Sequence, residues 1–292
     1  MQDSKTVPGI APEALISVFS GSARGEILMV HAAAIYITLQ DTVYLFSPER
    51  YGVTPIGICT PDFARLAALF RPMLGQSIEL RNGTLYGPGG RLPLLLSGYE
   101  EVRLCCHPDA EACLRTAERL CSCGKKDGLS ALAAPLLLHQ PLRGTELQAR
   151  ALCALQMLLD GMLWENQEQI SDGACKLLGL GVGLTPSGDD VLTGLIYGLQ
   201  RSAARRKKTM LWLTDAVRKH APQRTNRVSN AYLQAICAGM PFERMQQAWL
   251  GLDRRFPAAE EGLLEIGSNS GSEMLLGLLL AAGCAKGLKA AD

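Results

Sequence analysis

Apolar and polar positions alternate through residues 24–106, then recur every three or four residues beyond about residue 128. The chain therefore reads as a β-rich half followed by a helical half. Strand patterns run through Glu26–His31, Ala34–Thr38, Thr42–Phe46, Ser77–Arg81, Thr84–Tyr86, Leu92–Leu96 and Glu101–Cys105, with Asn82-Gly83 supplying a tight hairpin turn. One helix, Pro61–Phe70, interrupts them behind Thr60 as N-cap. In the second half Leu147, Ala151, Leu152, Leu155, Leu158, Leu159 and Met162 form a long apolar stripe at helical spacing. Further helices are expected near 171–178, 186–201, 206–220, 225–238, 242–252, 258–266 and 271–287. The polar stretch Gly124-Lys-Lys-Asp-Gly128 marks the change of character. The expected fold is α+β: an antiparallel sheet or small barrel over residues 1–124, then an all-α domain over residues 125–292.

Composition narrows the class. With 292 residues, 48% of them hydrophobic, the chain can bury a substantial core in two domains. A net charge of +1 gives no footprint for nucleic acid, and the basic run Arg201–Lys208 is interrupted by alanines and reads as a solvated helix end. No basic region followed by an apolar stretch opens the chain, so no secretory signal is expected. The longest apolar run, Met274–Ala285, is shorter than the ~20 residues a membrane span takes. A cytoplasmic protein with reduced thiols is the expectation, despite ten cysteines. Cys105, Cys106, His107, Cys113, Cys121 and Cys123 cluster locally, but no C-x₂-C spacing occurs among them, so they read as small buried hydrophobes rather than a zinc site. His31 and His139, among apolar neighbours, read as core or boundary residues.

The densest chemistry lies in Gly179-Leu-Gly-Val-Gly-Leu-Thr-Pro-Ser-Gly-Asp-Asp190, a glycine-rich loop running into a helix start with two adjacent carboxylates. Thr185 is the expected N-cap and Pro186 the first helical residue, and unpaired N–H groups at such a start favour anions. The device recurs. Ser187-Gly-Asp-Asp-Val-Leu-Thr-Gly-Leu195 aligns without a gap on Ser270-Gly-Ser-Glu-Met-Leu-Leu-Gly-Leu278, an offset of 83 residues from 187 to 270. Ser270 and Glu273 have capping-box spacing. Glycine inside a helix costs about 1 kcal/mol relative to alanine, so Gly194 and Gly198 in one helix, with Gly277 and Ala281 in the other, point to close packing. Meeting through those faces, the two N-termini would form one polar cleft with pseudo-twofold character. The alternative is a pair of well-capped core helices that bind nothing.

A further helix, beginning near Thr225, sets Thr225, Ser229 and Tyr232 on one face with Arg224 and Arg227 close by. Arginine can take a phosphate or carboxylate in a bidentate fork, although most surface arginines meet only solvent. For Asp189 and Asp190 three roles stay open: stabilising the helix dipole, orienting a substrate amide, or holding Mg²⁺ against a phosphate. No serine–histidine–acid order is present, no lysine follows the loop as a Walker motif requires, and the glycine spacing fails the dinucleotide fingerprint.

At these residues the chain resembles the AllH-like family, with its YlbF- and YahE-like members. The shared segments are the loop Gly179–Asp190, the stretch carrying Thr225, Ser229, Tyr232 and Leu233, and the late segment Gly267–Gly277; a looser likeness surrounds Gly52–Gly57. The resemblance implies a subunit of oxamate carbamoyltransferase, acting with an FdrA-like subunit and a third subunit in anaerobic allantoin or purine breakdown. The candidate catalytic groups are Asp189, Asp190 and Thr185. The candidate substrate-binding groups are Gly181, Gly183, Ser187, Gly188, Thr225, Arg227, Ser229, Tyr232, Asn269, Ser270, Gly271 and Glu273. No metal ligand and no certain cofactor is implied, with Mg²⁺ the one candidate ion. The ligand would be a small anionic metabolite, with neither nucleic acid nor membrane as partner. A non-catalytic partner-binding subunit and a small-anion sensor are the competing classes.

Overall fold

The computed structural model describes residues 6–70, 75–87, 90–102, 104, 106–124, 127–141, 144–202 and 207–286. The chain divides into two units, one running to Val102 and including Met240–Glu243, the other holding the remainder.

The first unit is built on a closed barrel of strands β1 (Val7–Pro12), β2 (Ser22–Val30), β3 (Ile35–Leu39), β4 (Thr42–Pro48), β5 (Gly57–Thr60), β6 (Ser77–Arg81), β7 (Thr84–Gly87) and β8 (Gly90–Tyr99), in the order β1-β5-β4-β3-β2-β6-β7-β8. Two helices, α1 (Glu13–Ser20) and α2 (Phe63–Phe70), belong to it. Closure removes the exposed edges an open sheet would present. Phe19, Ile27, Ile35, Ile37, Phe46, Ile58, Leu66, Phe70 and Leu80 fill the core. Two tight turns fix register. Gln40 and Asp41 join β3 to β4, and Asn82 and Gly83 join β6 to β7, all four with positive φ as a type I′ turn requires.

The structure differs from the sequence expectation at several points. Two of its strand pairs, β1·β8 and β4·β5, are parallel rather than antiparallel. Strand β1 carries two prolines and a glycine, and β5 follows directly on the loop Gly52–Ile56, so neither shows an alternating pattern long enough to read. No strand covers Glu101, Val102 or Leu104, and Arg103 and Cys105 lie outside the described residues. Thr60 does not cap α2: its hydroxyl accepts from Asp62 N, forming a turn that delays the helix to Phe63. His31 and His139 are exposed.

The second unit comprises α3 (Ala110–Cys123), a 3-10 turn at Leu129–Leu132, α4 (Ala133–Leu137), α5 (Glu146–Leu163), α6 (Gln167–Leu177), α7 (Ser187–Arg201), α8 (Lys207–Arg224), α9 (Arg227–Cys237), α10 (Glu243–Gly251, whose first residue belongs to the barrel unit), α11 (Glu261–Leu264) and α12 (Ser270–Lys286). Helix α3 packs here, against α12 and the Leu129–Leu132 turn, through Ala112, Thr116, Ala117 and Leu120. Of the clustered cysteines Cys106 is buried, whereas Cys113 is half-buried and Cys121 and Cys123 are exposed. The reading as buried hydrophobes therefore holds only for Cys106, Cys105 being outside the described residues. At the basic run, Arg201 lies over the Tyr197 ring and Lys208 pairs with Glu165, while residues 203–206 are outside the described set. None of the described helices is long and apolar enough to cross a membrane.

Helices α7 and α12 form the centre of this unit. Both are buried almost all round, and they run parallel with matched small residues in contact. A methyl group on Gly194 would overlap the Met274 carbonyl, and one on Gly277 would overlap the Val191 carbonyl. Val191 and Met274 are themselves related by the 83-residue offset. A methyl on Gly198 would stand 2.6 Å from the Ala281 methyl, its counterpart in the repeat. The sequence repeat is thus a structural pseudo-twofold, and only glycine allows the backbones this close.

Candidate functional site

The parallel packing places the N-terminal tips of α7 and α12 side by side, as the repeat predicted. Their polar residues cross over. Glu273 of α12 is hydrogen-bonded to Ser187 of α7, and Asp190 of α7 to Ser270 of α12. Each acid takes the serine of the opposite helix, and the two pairs are exchanged by the 83-residue offset. Sequence spacing had suggested a capping box within α12, but the Glu273 side chain leaves its own turn. Its Oε1 accepts from Leu129 N at 3.0 Å. Gly188 and Gly271, again equivalent, are pressed against the Leu177 and Leu263 carbonyls, which leaves no room for a side chain at either tip.

Asp189 is buried and fully engaged. One oxygen accepts from Gly179 N at 2.8 Å, and the other accepts from the Thr225 hydroxyl and from Ser229 Oγ at 2.6 Å. It therefore ties the glycine loop and the start of α9 to α7. Helix α9 begins at Arg227 rather than Thr225, because Asn226 is the N-cap, accepting from Val228 N and Ser229 N. Of the three hydroxyls expected on one face, Thr225 and Ser229 enclose one carboxylate, and Tyr232 is buried farther along the same helix. Arg227 is exposed, and Arg224 donates to the Cys175 carbonyl at 3.1 Å.

Thr185 does not cap α7. The helix starts at Ser187 behind Pro186, whose carbonyl accepts from Asp189 N and Asp190 N, while Gly188 N donates to the Leu180 carbonyl. Most of the helix-start donors are thus used inside the chain rather than left for an anion. Freed from capping, Thr185 Oγ1 donates to Asp190 Oδ2 at 3.1 Å and lies 2.9 Å from Ser270 Oγ. Gly179, Gly181 and Gly183 all have positive φ, and a methyl at Gly181 would come within 2.8 Å of Ser187 N, so the loop depends on glycine at that point.

Burial pushes the Asp190 carboxyl well above the ordinary carboxylate range, and the charge of Glu273 adds to the effect. Burial also raises Glu273, assisted by Asp127 and opposed by its bonds to Leu129 N and Ser187; it raises Asp189 against the pull of its three donors. Both Asp189 oxygens face N–H or O–H donors, which is poor geometry for Mg²⁺. Among the described residues no three His, Cys, Asp or Glu side chains converge as a metal cage.

These raised values set a pH dependence with a definite sign. A carboxyl whose folded pKa exceeds its unfolded one stabilises fully below the ordinary carboxylate range, and that contribution is lost as pH rises through the folded pKa. Asp253, held low by Arg255, acts oppositely and only as pH falls below the ordinary range. Urea titrations between pH 5 and pH 8 should therefore show stability falling with pH more steeply in the wild type than in Asp190→Asn. Parallel slopes would show that Asp190 does not titrate in this window.

Beside the tips lies a cleft of about 490 Å³, lined by Gly179, Leu180, Gly181, Val182, Ser187 and Asn269 together with Asp127, Leu147 and Arg150. Gly181, Ser187 and Asn269 were expected at the site, whereas Gly183, Asp190, Ser270 and Gly271 are not among its lining residues. Asp127, Leu147 and Arg150 escaped sequence reasoning. Asp127 belongs to the stretch expected to be a mere linker, and Arg150 follows the apolar Leu147 by three residues on α5. The one legible signal was Thr145-x-x-Gln148, a capping box that fixes the start of that helix.

The fold and site define an α+β protein in which a barrel unit accompanies a helical unit with a cleft beside paired, pseudo-symmetric helix tips. Residues 177–282, which contain both tips and the Asp189 cage, match the family model described as oxamate carbamoyltransferase subunit AllH. No solved structure matches the chain.

Proposed function

We propose that this chain is a subunit of an oxamate carbamoyltransferase-like enzyme and that the cleft beside the α7 and α12 tips receives its small anionic reactants. The family match supports membership in such an enzyme. The observation that carries the reading is the cleft itself: it lies within the helical unit, against the family's glycine loop, and gathers a hydroxyl, an amide and a guanidinium. Carbamoyl phosphate, oxamate and oxalurate are small anions that the cleft has room for, and Arg150 is the positive group that could receive them. In the transfer, a phosphate oxygen bonds to the ureido carbonyl carbon of oxalurate, the bond from that carbon to the amide nitrogen breaks, and the nitrogen leaves protonated as oxamate. Asn269 is placed to donate to a reactant there, and a fixed donor of this kind stabilises charge that develops on a carbonyl oxygen, while Ser187, bonded to Glu273, has a lone pair left to accept with. Asp189, Asp190 and Thr185 act behind them, holding the loop and the tips in place. An FdrA-like subunit and a third subunit would complete the enzyme, in allantoin or purine breakdown.

A second reading, a scaffold that docks a catalytic partner, is favoured by Val182, which is 92% exposed at the loop tip beside the cleft. One assay separates the two. With the chain reconstituted alongside its partner subunits, carbamoyl transfer from carbamoyl phosphate to oxamate should fall at least tenfold in Ser187→Ala and Asn269→Ala while the complex still assembles. Undiminished turnover in both variants would leave the scaffold reading standing.

A further inference from the structure

The cleft carries one positive and one negative side chain, and the way each is held gives them a joint purpose. Arg150 projects from the second turn of α5, whose start is locked by the capping box of Thr145 and Gln148. Asp127 precedes Gly128, and the Gly128 carbonyl accepts from Nε2 of the buried Gln148 at 2.8 Å. The next residue, Leu129, donates its N–H to Glu273 at 3.0 Å. The segment bearing Asp127 is therefore clamped from two sides, and one clamp comes from the helix that bears Arg150. A methyl on Gly128 would stand 3.1 Å from the Asn269 amide nitrogen, so this segment also abuts the α12 tip.

Arg150 and Asp127 nevertheless form no salt bridge with each other, and Arg150 has no ion-pair partner among the described residues. Two opposite charges, both exposed, line one cleft without neutralising each other. A guanidinium fork suits a carboxylate, and a carboxylate accepts from an amide or ureido N–H. A dicarboxylate would satisfy Arg150 but set its second charge against Asp127.

We infer that Arg150 and Asp127 are the specificity-determining pair of this cleft, selecting a small monoamide of a dicarboxylic acid over the dicarboxylic acid itself: Arg150 takes the carboxylate and Asp127 the N–H end. The Asn269 amide can donate or accept and so serve either end, while Ser187, bonded to Glu273, offers a lone pair to the N–H end. The inference rests on reading the cleft as the substrate site, and it adds the residues that orient the ligand.

Isothermal titration of the full chain with oxamate and with oxalate tests it. The wild type should bind oxamate at least tenfold more tightly than oxalate. Arg150→Gln should weaken both ligands tenfold or more, with Arg150→Lys recovering part of the loss. Asp127→Asn should chiefly strengthen oxalate and so collapse the preference. Both side chains are exposed, so circular dichroism should show all three variants folded. Oxamate binding unaffected by Arg150→Gln, or a preference unaltered by Asp127→Asn, would overturn the pair while leaving the cleft as substrate site. A wild type that binds neither ligand would overturn the substrate-site reading and the pair with it.

Discussion

Gly277→Val unfolds the helical unit. The new side chain meets the Val191 carbonyl, the Leu195 amide and the Gly194 backbone, all main-chain atoms of α7 that no rotamer change can move aside. Overpacking of a well-packed interior usually costs about 1–3 kcal/mol even where flexible side chains absorb the strain. Here the helices must separate, and with them every buried contact between Val191–Leu199 and Met274–Ala282. Domains of this size are stable by about 5–15 kcal/mol, so a loss at or beyond the top of the overpacking range is a large fraction of the whole. Thermal melts followed by circular dichroism should show the cooperative helical transition lost or lowered by ten degrees or more. Gly183→Ala is the control: its methyl would meet only the Thr185 carbonyl, at an ordinary contact distance of 3.9 Å, and only the positive φ makes it costly. A Gly277→Val protein melting like the wild type would mean that the two helices do not meet through this face.

The second large effect is expected at Asp189. Asp189→Ala removes the acceptor of three donors at once and leaves Gly179 N, the Thr225 hydroxyl and the buried Ser229 hydroxyl unsatisfied. Each buried orphan costs about 1–3 kcal/mol, although Thr225 and Gly179 lie near enough to the surface for water to recover part of it. A net loss of about 3 kcal/mol in urea denaturation is the expected size. Asp189→Asn keeps one acceptor and places an NH₂ against donors, so it should lie between alanine and wild type. The loss should also reach the cleft. Gly179 is the first residue of the loop that lines it, and a loop released from Asp189 should bind oxamate more weakly even in the fraction that remains folded. Stability within 1 kcal/mol of wild type for Asp189→Ala would refute the cage as a structural element.

These two residues also mark what could and could not be read from the chain. Gly277 and Gly194 were legible because glycine is costly in a helix and recurred at a fixed offset, and close approach was the physical reason that the structure then supplied. Asp189 was legible as chemistry but not as architecture. Adjacent carboxylates at a helix start have the same pattern whether they face solvent, a ligand or a cage, and the donors that decide among these come from residues 10, 36 and 40 positions away in the chain. Thr185 shows the same limit from the other direction. Threonine before proline at a helix start is a good local N-cap, yet a hydroxyl offered a buried acid and a second hydroxyl from another helix turns to them instead. The barrel strands β1 and β5 were hidden for a different reason, since prolines, glycines and a length of four to six residues carry too little alternation to register.

Local composition and periodicity alone determined the two halves, most helices, the hairpin at Asn82-Gly83 and the duplicated serine-glycine-acid starts, because each depends on residues near one another along the chain. Only the tertiary structure decided that the sheet closes through two parallel pairs and that each tip acid bonds the other helix's serine. It also decided that Asp127 and Arg150 share one cleft. Those outcomes depend on which distant segments the packed interior brings within hydrogen-bonding reach, and a donor–acceptor pair so formed leaves no periodic mark in the sequence.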